Sequence, residues 1–337
     1  MMWLALNKMQ RQNFYITQSG SVIRKNNTVW FENEAVKHKV LDLLGDLQLA
    51  GIQLKGHIIA IEAGHRDHVR LIKSIDRITR GGYYEEYSEG VIRGIIDKIK
   101  QLYNEDKIPV ELYSEIKSKL GQKKIAFVGG VETSQHSIEA LCEKGYTPDL
   151  VFTYDEHWRH MSGYVDLSPL SRKYNFKLIN TRNINLQENI ELLNKFQPDI
   201  VFVIGFSQLV KDEILKIPPL GIYGIHPTRL PQGRGRAPIP WTIIKGIKDS
   251  AITLFSLEGP ADSGDIIAQK SFTIELNDDA ESIWEKVIQL HKEILIENIE
   301  LLLNGKAPRI KQDESLATYW EKRNPEGGII DWRKSNL

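Results

Sequence analysis

His226 stands near the start of GIYGIHPTRLPQGRGRAPIPW, residues 221–241, which contains four prolines and sets Arg234 and Arg236 among glycines. Proline fixes φ and lacks an amide hydrogen, so this run reads as neither helix interior nor central strand. A rigid loop around an imidazole has a chemical use: it removes freedom from a group that must donate or accept a proton in one place. A second stretch of interest is GPADSGDIIAQ, residues 259–269, where Asp262 precedes Ser263-Gly264. By itself that aspartate can cap a turn. Arg234 and Arg236 can pack their loop or hold a phosphate.

The elements that must position these residues alternate in type. GQKKIAFVGG reads as a buried strand, Ile125 to Val128, ending in a turn at Gly129-Gly130. A helix follows with apolar Ile138, Leu141 and Cys142, stopped by Gly145. PDLVFTYD, KLINT and PDIVFVIGFSQ are further strands, with helices in VDLSPLSRKYNF and NIELLNKFQ between them. The third of these strands is continuously apolar, as expected when both faces are buried. Alternation of this kind predicts an α/β fold with a doubly wound parallel sheet, whose ligands lie beyond the carboxyl ends of the strands. Those ends are Gly129-Gly130, Tyr154-Asp155 and Gly205-Phe206. AITLFSL and SFTIEL add strands. A long amphipathic helix then presents Ile283, Val287, Leu290, Ile294 and Leu301 on one face.

The first 121 residues read as a separate α+β domain. NFYITQSGSVIRKNNTVWFENE predicts a hairpin or meander turning at Asn26-Asn27, GIQLKGHIIAIEAG adds strand, and helices are expected at about 65–79 and 85–103. A linker with a short helix leads out of this region. The expected organisation is therefore 1–121, a catalytic domain at 122–310, and a closing segment at 311–337. His65 and His68 have the spacing of metal ligands on one helical turn, yet no third ligand is evident, so no metal is expected.

Composition narrows the function. The chain has 337 residues, 44 basic and 44 acidic side chains, and a single cysteine, Cys142. The balance gives no overall basic footprint for nucleic acid. One cysteine forms no intrachain disulfide, and the apolar runs are too short to span a membrane. No signal peptide is evident in MMWLALNKMQRQ, so a cytoplasmic protein is the default. Gly129-Gly130 is not the G-x-G-x-x-G fingerprint of a nicotinamide cofactor.

Read together, the two stretches resemble the formyltransferases that use 10-formyltetrahydrofolate. In that family a strand delivers Asn-x-His, a rigid Pro- and Arg/Gly-containing loop follows, and an Asp-Ser/Thr-Gly aspartate completes the site. The corresponding residues here are His226, the loop Pro231 to Pro238, and Asp262. DIVFVIGFSQLVKDEILKIPPLG resembles the preceding strand and loop, and YWEKRNPEGGIIDW the closing segment. The likeness runs in order from Lys123 to Trp332. It implies a Rossmann-like variant in which Gly205, Phe206, Ser207, Gln208 and Leu209 offer main-chain groups to the folate. It also implies that His226 donates to a tetrahedral oxyanion while Asp262 orients it and receives the amine's proton. The family's Asn falls on Gly224, which has only its backbone amide to give; Gln208 or water are alternative donors.

Among acceptors, the methionyl-tRNA member carries a further barrel after the segment that ends here at Trp332, and the glycinamide ribonucleotide member retains the Asn. The resemblance is therefore strongest to sugar N-formyltransferases, with a nucleotide-linked amino sugar as the small-molecule partner and Arg234 and Arg236 toward its diphosphate. The alternative is a non-catalytic folate- or nucleotide-binding module whose site has decayed at Gly224. About residues 14–33 faintly resemble strands of the CRISPR adaptation integrase, whose catalytic helical half has no counterpart here. Dimerisation and substrate binding are the roles open to residues 1–121.

Overall fold

A computed structural model of the chain describes Met2–Leu6 (β1), Tyr15–Ile16 (β2), Val22–Ile23 (β3), His57–Ile61 (β4), and residues 97, 99–119 and 121–328. The chain divides into two units, Met1–Tyr113 and Ser114–Leu337. In the first, β1 pairs in parallel with β4, and β2 pairs antiparallel with β3. The turn expected at Asn26-Asn27 lies outside the described residues. Residues 99–104 are helical, and helix α1 (Val110–Lys119) carries the chain across the division. His65, His68 and most of the two helices expected before residue 103 lie outside the described residues.

The second unit is built on runs too apolar to face water. Ile125–Val128 (β5), Leu150–Tyr154 (β6) and Ile200–Val203 (β8) are buried at every position. Such strands must be covered on both faces, which crossover helices accomplish. Helix α2 (Glu132–Glu143) follows β5, α3 (Ser168–Tyr174) follows β6, and α4 (Gln187–Phe196) separates β7 (Lys177–Thr181) from β8. The short α5 (Asp212–Leu215) leads to β9 (Ile222–His226). After β10 (Arg234–Gly235) and α6 (Pro238–Ile244), a hairpin of β11 (Asp249–Ser256) and β12 (Ile266–Thr273) leads to α7 (Ala280–Leu303). A last strand, β13 (Tyr319–Trp320), pairs with β10 away from the main sheet.

The main sheet has seven strands in the order β12-β11-β9-β8-β5-β6-β7. From β9 to β7 the pairs are parallel, whereas β11 runs antiparallel to both neighbours. The fold is thus the expected α/β type with an antiparallel margin. The residue 221–241 run corrects one expectation. All four prolines follow His226, so Ile222–His226 is free to form a central strand. Pro238 and Pro240 sit in the first turn of α6, where a missing amide hydrogen costs nothing.

Helix α7 starts at Asp279, whose carboxylate accepts from the amides of Glu281 and Ser282. It packs parallel to α2. Trp284 donates to Glu132 near both N-termini (2.6 Å), and Tyr146 donates to Glu300 near both C-termini (3.0 Å). The buried stripe contains Ile283, Val287, His291, Ile294 and Ile299; Leu301, expected inside, is exposed. Among the described residues, no helix is long and apolar enough to cross a membrane.

Candidate active site

His226 ends β9, and its register partner Thr253 ties the following turn to β11. The Thr253 hydroxyl donates to the Thr228 carbonyl at 2.7 Å and accepts from the Leu230 amide at 3.3 Å. The imidazole is buried, and its Nε2 lies 2.8 Å from the Gly233 carbonyl oxygen. A carbonyl only accepts, so Nε2 carries a proton. The other nitrogen, Nδ1, faces Asp262 Oδ2 at 3.7 Å. That is too long for a direct hydrogen bond, but a third polar atom lying to one side of the pair is within hydrogen-bond reach of both.

Asp262 adopts φ 57°, a left-handed conformation uncommon outside glycine. Two contacts hold it there. Its Oδ2 accepts from the Gly235 amide at 2.8 Å, and its carbonyl accepts from Gln312 Nε2 at 2.9 Å. Asp262 and the His226 loop are therefore fastened to each other as well as to the sheet. The two residues that the sequence singled out from separate stretches face one another beyond the strand ends.

Residues 312–321 fasten both loops, a role the sequence did not reveal. The Gly233 amide donates to the Thr318 hydroxyl (2.8 Å), the Arg234 amide to the Thr318 carbonyl (2.9 Å), and the Arg236 amide to the Trp320 carbonyl (3.0 Å). Trp320 crowds so closely that a Cβ at Gly235 would meet its carbonyl oxygen. Only glycine fits there, and φ 106° asks for glycine as well.

The two arginines of this loop differ in placement. Arg234 is wholly buried. Its guanidinium donates to Gln312 Oε1, to both oxygens of Glu314 and to the Tyr319 hydroxyl, all within 3.1 Å. The hydrogen bonds to Glu314 push its already high pKa further up. Arg236 is exposed and makes no side-chain ion pair among the described residues. Trp241 is half-buried. Its Nε1 donates to the Glu321 carbonyl at 2.8 Å, and Lys245 and Arg323 lie 5.5 and 5.3 Å from its ring centre.

Gly224 occupies the middle of β9, opposite Val203 on one side and Phe255 on the other. A Cβ built there would lie 2.6 Å from Leu257 Cδ1 and 3.2 Å from the Val203 carbonyl. The space that a larger side chain would fill is thus taken by leucine.

The loop after β8 lies at the neighbouring strand ends. Gly205 has φ 66°. Phe206 stacks on Tyr154, centroids 4.4 Å apart and planes 13° from parallel. The Ser207 amide donates to the Tyr154 hydroxyl at 2.6 Å; burial pushes this phenol's pKa up, so its oxygen stays neutral and accepts. Gln208 is tied at both ends: Nε2 donates to the Arg182 carbonyl (2.6 Å) and Oε1 accepts from the Ile184 amide (3.2 Å), which leaves its second N–H. Leu209 is 72% exposed. Among the described residues no cluster of metal-ligating side chains occurs.

Known proteins resemble the second unit of this chain. The profile of the formyl transferase family matches residues 123–299. A methionyl-tRNA formyltransferase of Caldanaerobacter subterraneus is 32% identical over 214 residues, spanning 62% of this chain and 69% of that protein. The bifunctional polymyxin resistance protein ArnA of Wigglesworthia glossinidia brevipalpis is 31% identical over 199 residues, 59% of this chain and 30% of that one. An N-formyltransferase from Helicobacter canadensis, solved with folinic acid and dTDP-3-aminofucose, is 21% identical with a TM-score of 0.49, covering 60% of this chain and 71% of that one. Residues 6–77 match a different profile, that of the UDP-3-O-acyl N-acetylglycosamine deacetylases.

Proposed function

The chain belongs to the formyl transferase family, and we propose that it carries a formyl group from 10-formyltetrahydrofolate to the primary amine of a nucleotide-linked amino sugar. The observation that carries this reading is the 3.7 Å gap between His226 Nδ1 and Asp262 Oδ2, with both side chains fixed from behind by backbone of one loop. A reacting centre beside this pair can meet both groups, its formyl oxygen at Nδ1 and its amine at the carboxylate. The amine lone pair adds to the formyl carbon, and the carbonyl electrons move onto oxygen. His226 Nε2–H is held by Gly233, so the ring meets the oxyanion through Nδ1–H, as imidazolium. The carboxylate of Asp262 balances that charge. Its Oδ1, which has no hydrogen bond among the described residues, receives the proton that the amine sheds. Collapse then breaks the carbon–N10 bond of the folate, and N10 takes up the proton that Asp262 received, which restores the carboxylate. Preorganised donors at a developing oxyanion contribute several kcal/mol, about 3 for one donor.

The remaining assignments follow. The backbone of Gly205, Phe206, Ser207, Gln208 and Leu209 receives the folate at the carboxyl end of β8. Gly224 provides close packing between β8 and β11 and leaves oxyanion stabilisation to His226. Arg236 faces the diphosphate of the acceptor; Arg234 holds the loop. The match of residues 6–77 to a family named for a UDP-linked acylated amino sugar supports an acceptor of that chemical kind.

The test supplies 10-formyltetrahydrofolate with a panel of UDP- and dTDP-linked amino sugars, and separately with methionyl-tRNA, and follows the acceptors by mass spectrometry. A gain of one formyl group on a sugar nucleotide is expected. A gain on methionyl-tRNA alone would overturn the acceptor. A gain on neither would favour a folate-binding module without turnover.

A further inference from the structure

Four aromatic rings form a ladder where β6 ends, and the reaction chemistry above uses none of them. Phe206 stacks on Tyr154, Tyr154 lies 5.4 Å from Trp158, and Trp158 stacks on His160 with centroids 6.4 Å apart and planes 18° from parallel. Tyr154 is buried, Phe206 and Trp158 are half-buried, and His160 is exposed. The ladder thus climbs from the core out to solvent. Its polar edges are already used. Tyr154 accepts from Ser207, and Trp158 Nε1 donates to the Arg182 carbonyl at 3.2 Å, the same oxygen that holds Gln208. Pinned at its edge, Trp158 keeps a fixed tilt, and the half-buried Trp158 and exposed His160 form the solvent side of the ladder. Next to them stand Arg159 and Arg182, each exposed and each paired with a carboxylate, Glu156 and Asp155 respectively, at 3.1 Å.

We propose that the outer rungs, Trp158 and His160, are a stacking platform for the planar nitrogen heterocycle of a substrate, bound at the carboxyl end of β6 beside the loop 205–209. This rests on the reading of the substrates as a folate and a nucleotide, each of which carries such a ring: the pteridine of one or the base of the other. Stacking needs only a π face, so an aromatic shelf with committed edges is sufficient. A platform at this strand end puts the heterocycle of either substrate to one side of the gap between His226 and Asp262, with the reacting group directed inward.

Calorimetric titration of the whole chain with UDP, and separately with tetrahydrofolate, tests this without requiring turnover. Trp158→Leu keeps an apolar side chain but removes the π face, and about a tenfold rise in Kd is expected for one of the two ligands. Trp158→Phe keeps a face and loses the edge hydrogen bond, so its Kd should stay within about threefold of wild type. The ligand that weakens identifies the heterocycle. The proposal is overturned if Trp158→Leu binds both ligands as wild type does, if Trp158→Phe loses as much as Trp158→Leu, or if the wild type binds neither. Should Trp158→Leu fail to fold, His160→Ala at the exposed rung replaces it, with a rise of about threefold expected and no change overturning the proposal. Formyl transfer is assayed apart from binding. Stacking lost in the variant of a protein with no turnover on amino sugars would leave the platform standing and remove only the acceptor.

Discussion

The loop that carries His226 and the loop at residues 205–209 meet at the same end of the sheet, but they are held in opposite ways. The first is fastened from outside: residues 312–321, distant in sequence, supply Thr318, Trp320, Gln312 and Glu314 to its backbone and to Arg234. The second is fastened from inside, by Tyr154 at the end of β6, by its own Gln208 and by Asn185. The outer fastening leaves the His226 ring with one nitrogen free beside Asp262; the inner one leaves the backbone of an exposed loop. Proton transfer needs the fixed angle that several converging hydrogen bonds impose. Cosubstrate exchange tolerates a loop with fewer ties.

The sharpest break in this comparison comes from the reacting groups. His226→Ala and Asp262→Ala should each lower kcat about a hundredfold or more, while melting temperatures stay near wild type. Near-normal turnover in either variant would remove them from the chemistry. Arg234→Met comes next. It deletes hydrogen bonds to Glu314, which is largely exposed and can hydrate, so a loss of about 1.5–3 kcal/mol is expected. Hydrogen exchange should quicken in residues 312–321, with tetrahydrofolate affinity unchanged; weakened folate binding would show that the two fastenings are one.

Gly224 lies where the regions adjoin, since β9 pairs with the strand that feeds the 205–209 loop. Gly224→Asn must displace Leu257 from a contact of 2.6 Å, at a cost of about 1–3 kcal/mol. Steady-state kinetics should show slower turnover. A faster variant would instead mark the glycine as the scar of a lost donor.

Acid gives a milder test, directed at the packing beneath both loops. His291 is buried on α7 with neither ring nitrogen hydrogen-bonded. Burial, and then the charge of His226, hold its pKa down to about 3 from 6.5. The unfolded chain therefore binds a proton that the folded chain refuses. The His291 contribution is intact above pH 6.5 and declines as pH falls toward 3, by about 1.4 kcal/mol per unit. His291→Phe should flatten this slope in denaturant melts between pH 6.5 and 4.5; an unchanged slope would place the acid sensitivity elsewhere. The smallest effect is expected at the inner fastening. Tyr154→Phe removes one hydrogen bond to Ser207, worth about 1 kcal/mol, and should raise the KM for the folate a few-fold at constant kcat.

Much of this was legible in the sequence. Ile125–Val128 and Lys177–Thr181 form strands with the bounds their apolar runs suggest, and His226 and Asp262 meet as the resemblance implied. Periodicity placed α7 and most of its buried stripe, Ile283, Val287 and Ile294 among it, but missed two positions. Leu301 is exposed and His291 takes an inward place, because the parallel packing on α2 selects the buried stripe. The role of Arg234 was hidden for a similar reason. Its partners lie 78 to 85 residues later, and a glycine-flanked arginine in a loop reads alike whether it awaits a phosphate or a glutamate. The aromatic ladder joins Tyr154, Trp158, His160 and Phe206 across two strand ends, a proximity that no local spacing encodes.

The outer fastening also bears on biosynthesis. A ribosome releases His226 and Asp262 well before Gln312, Thr318 and Trp320, and domains tend to condense as their sequence emerges. The sheet can therefore close on a growing chain while the backbone of Gly233 to Arg236 still lacks the strand that pairs with it. The hydrogen bonds that hold Gly233 to Arg236 form only once residues 312–321 have been made, so a translation product cut short before them would keep the sheet without that fastening.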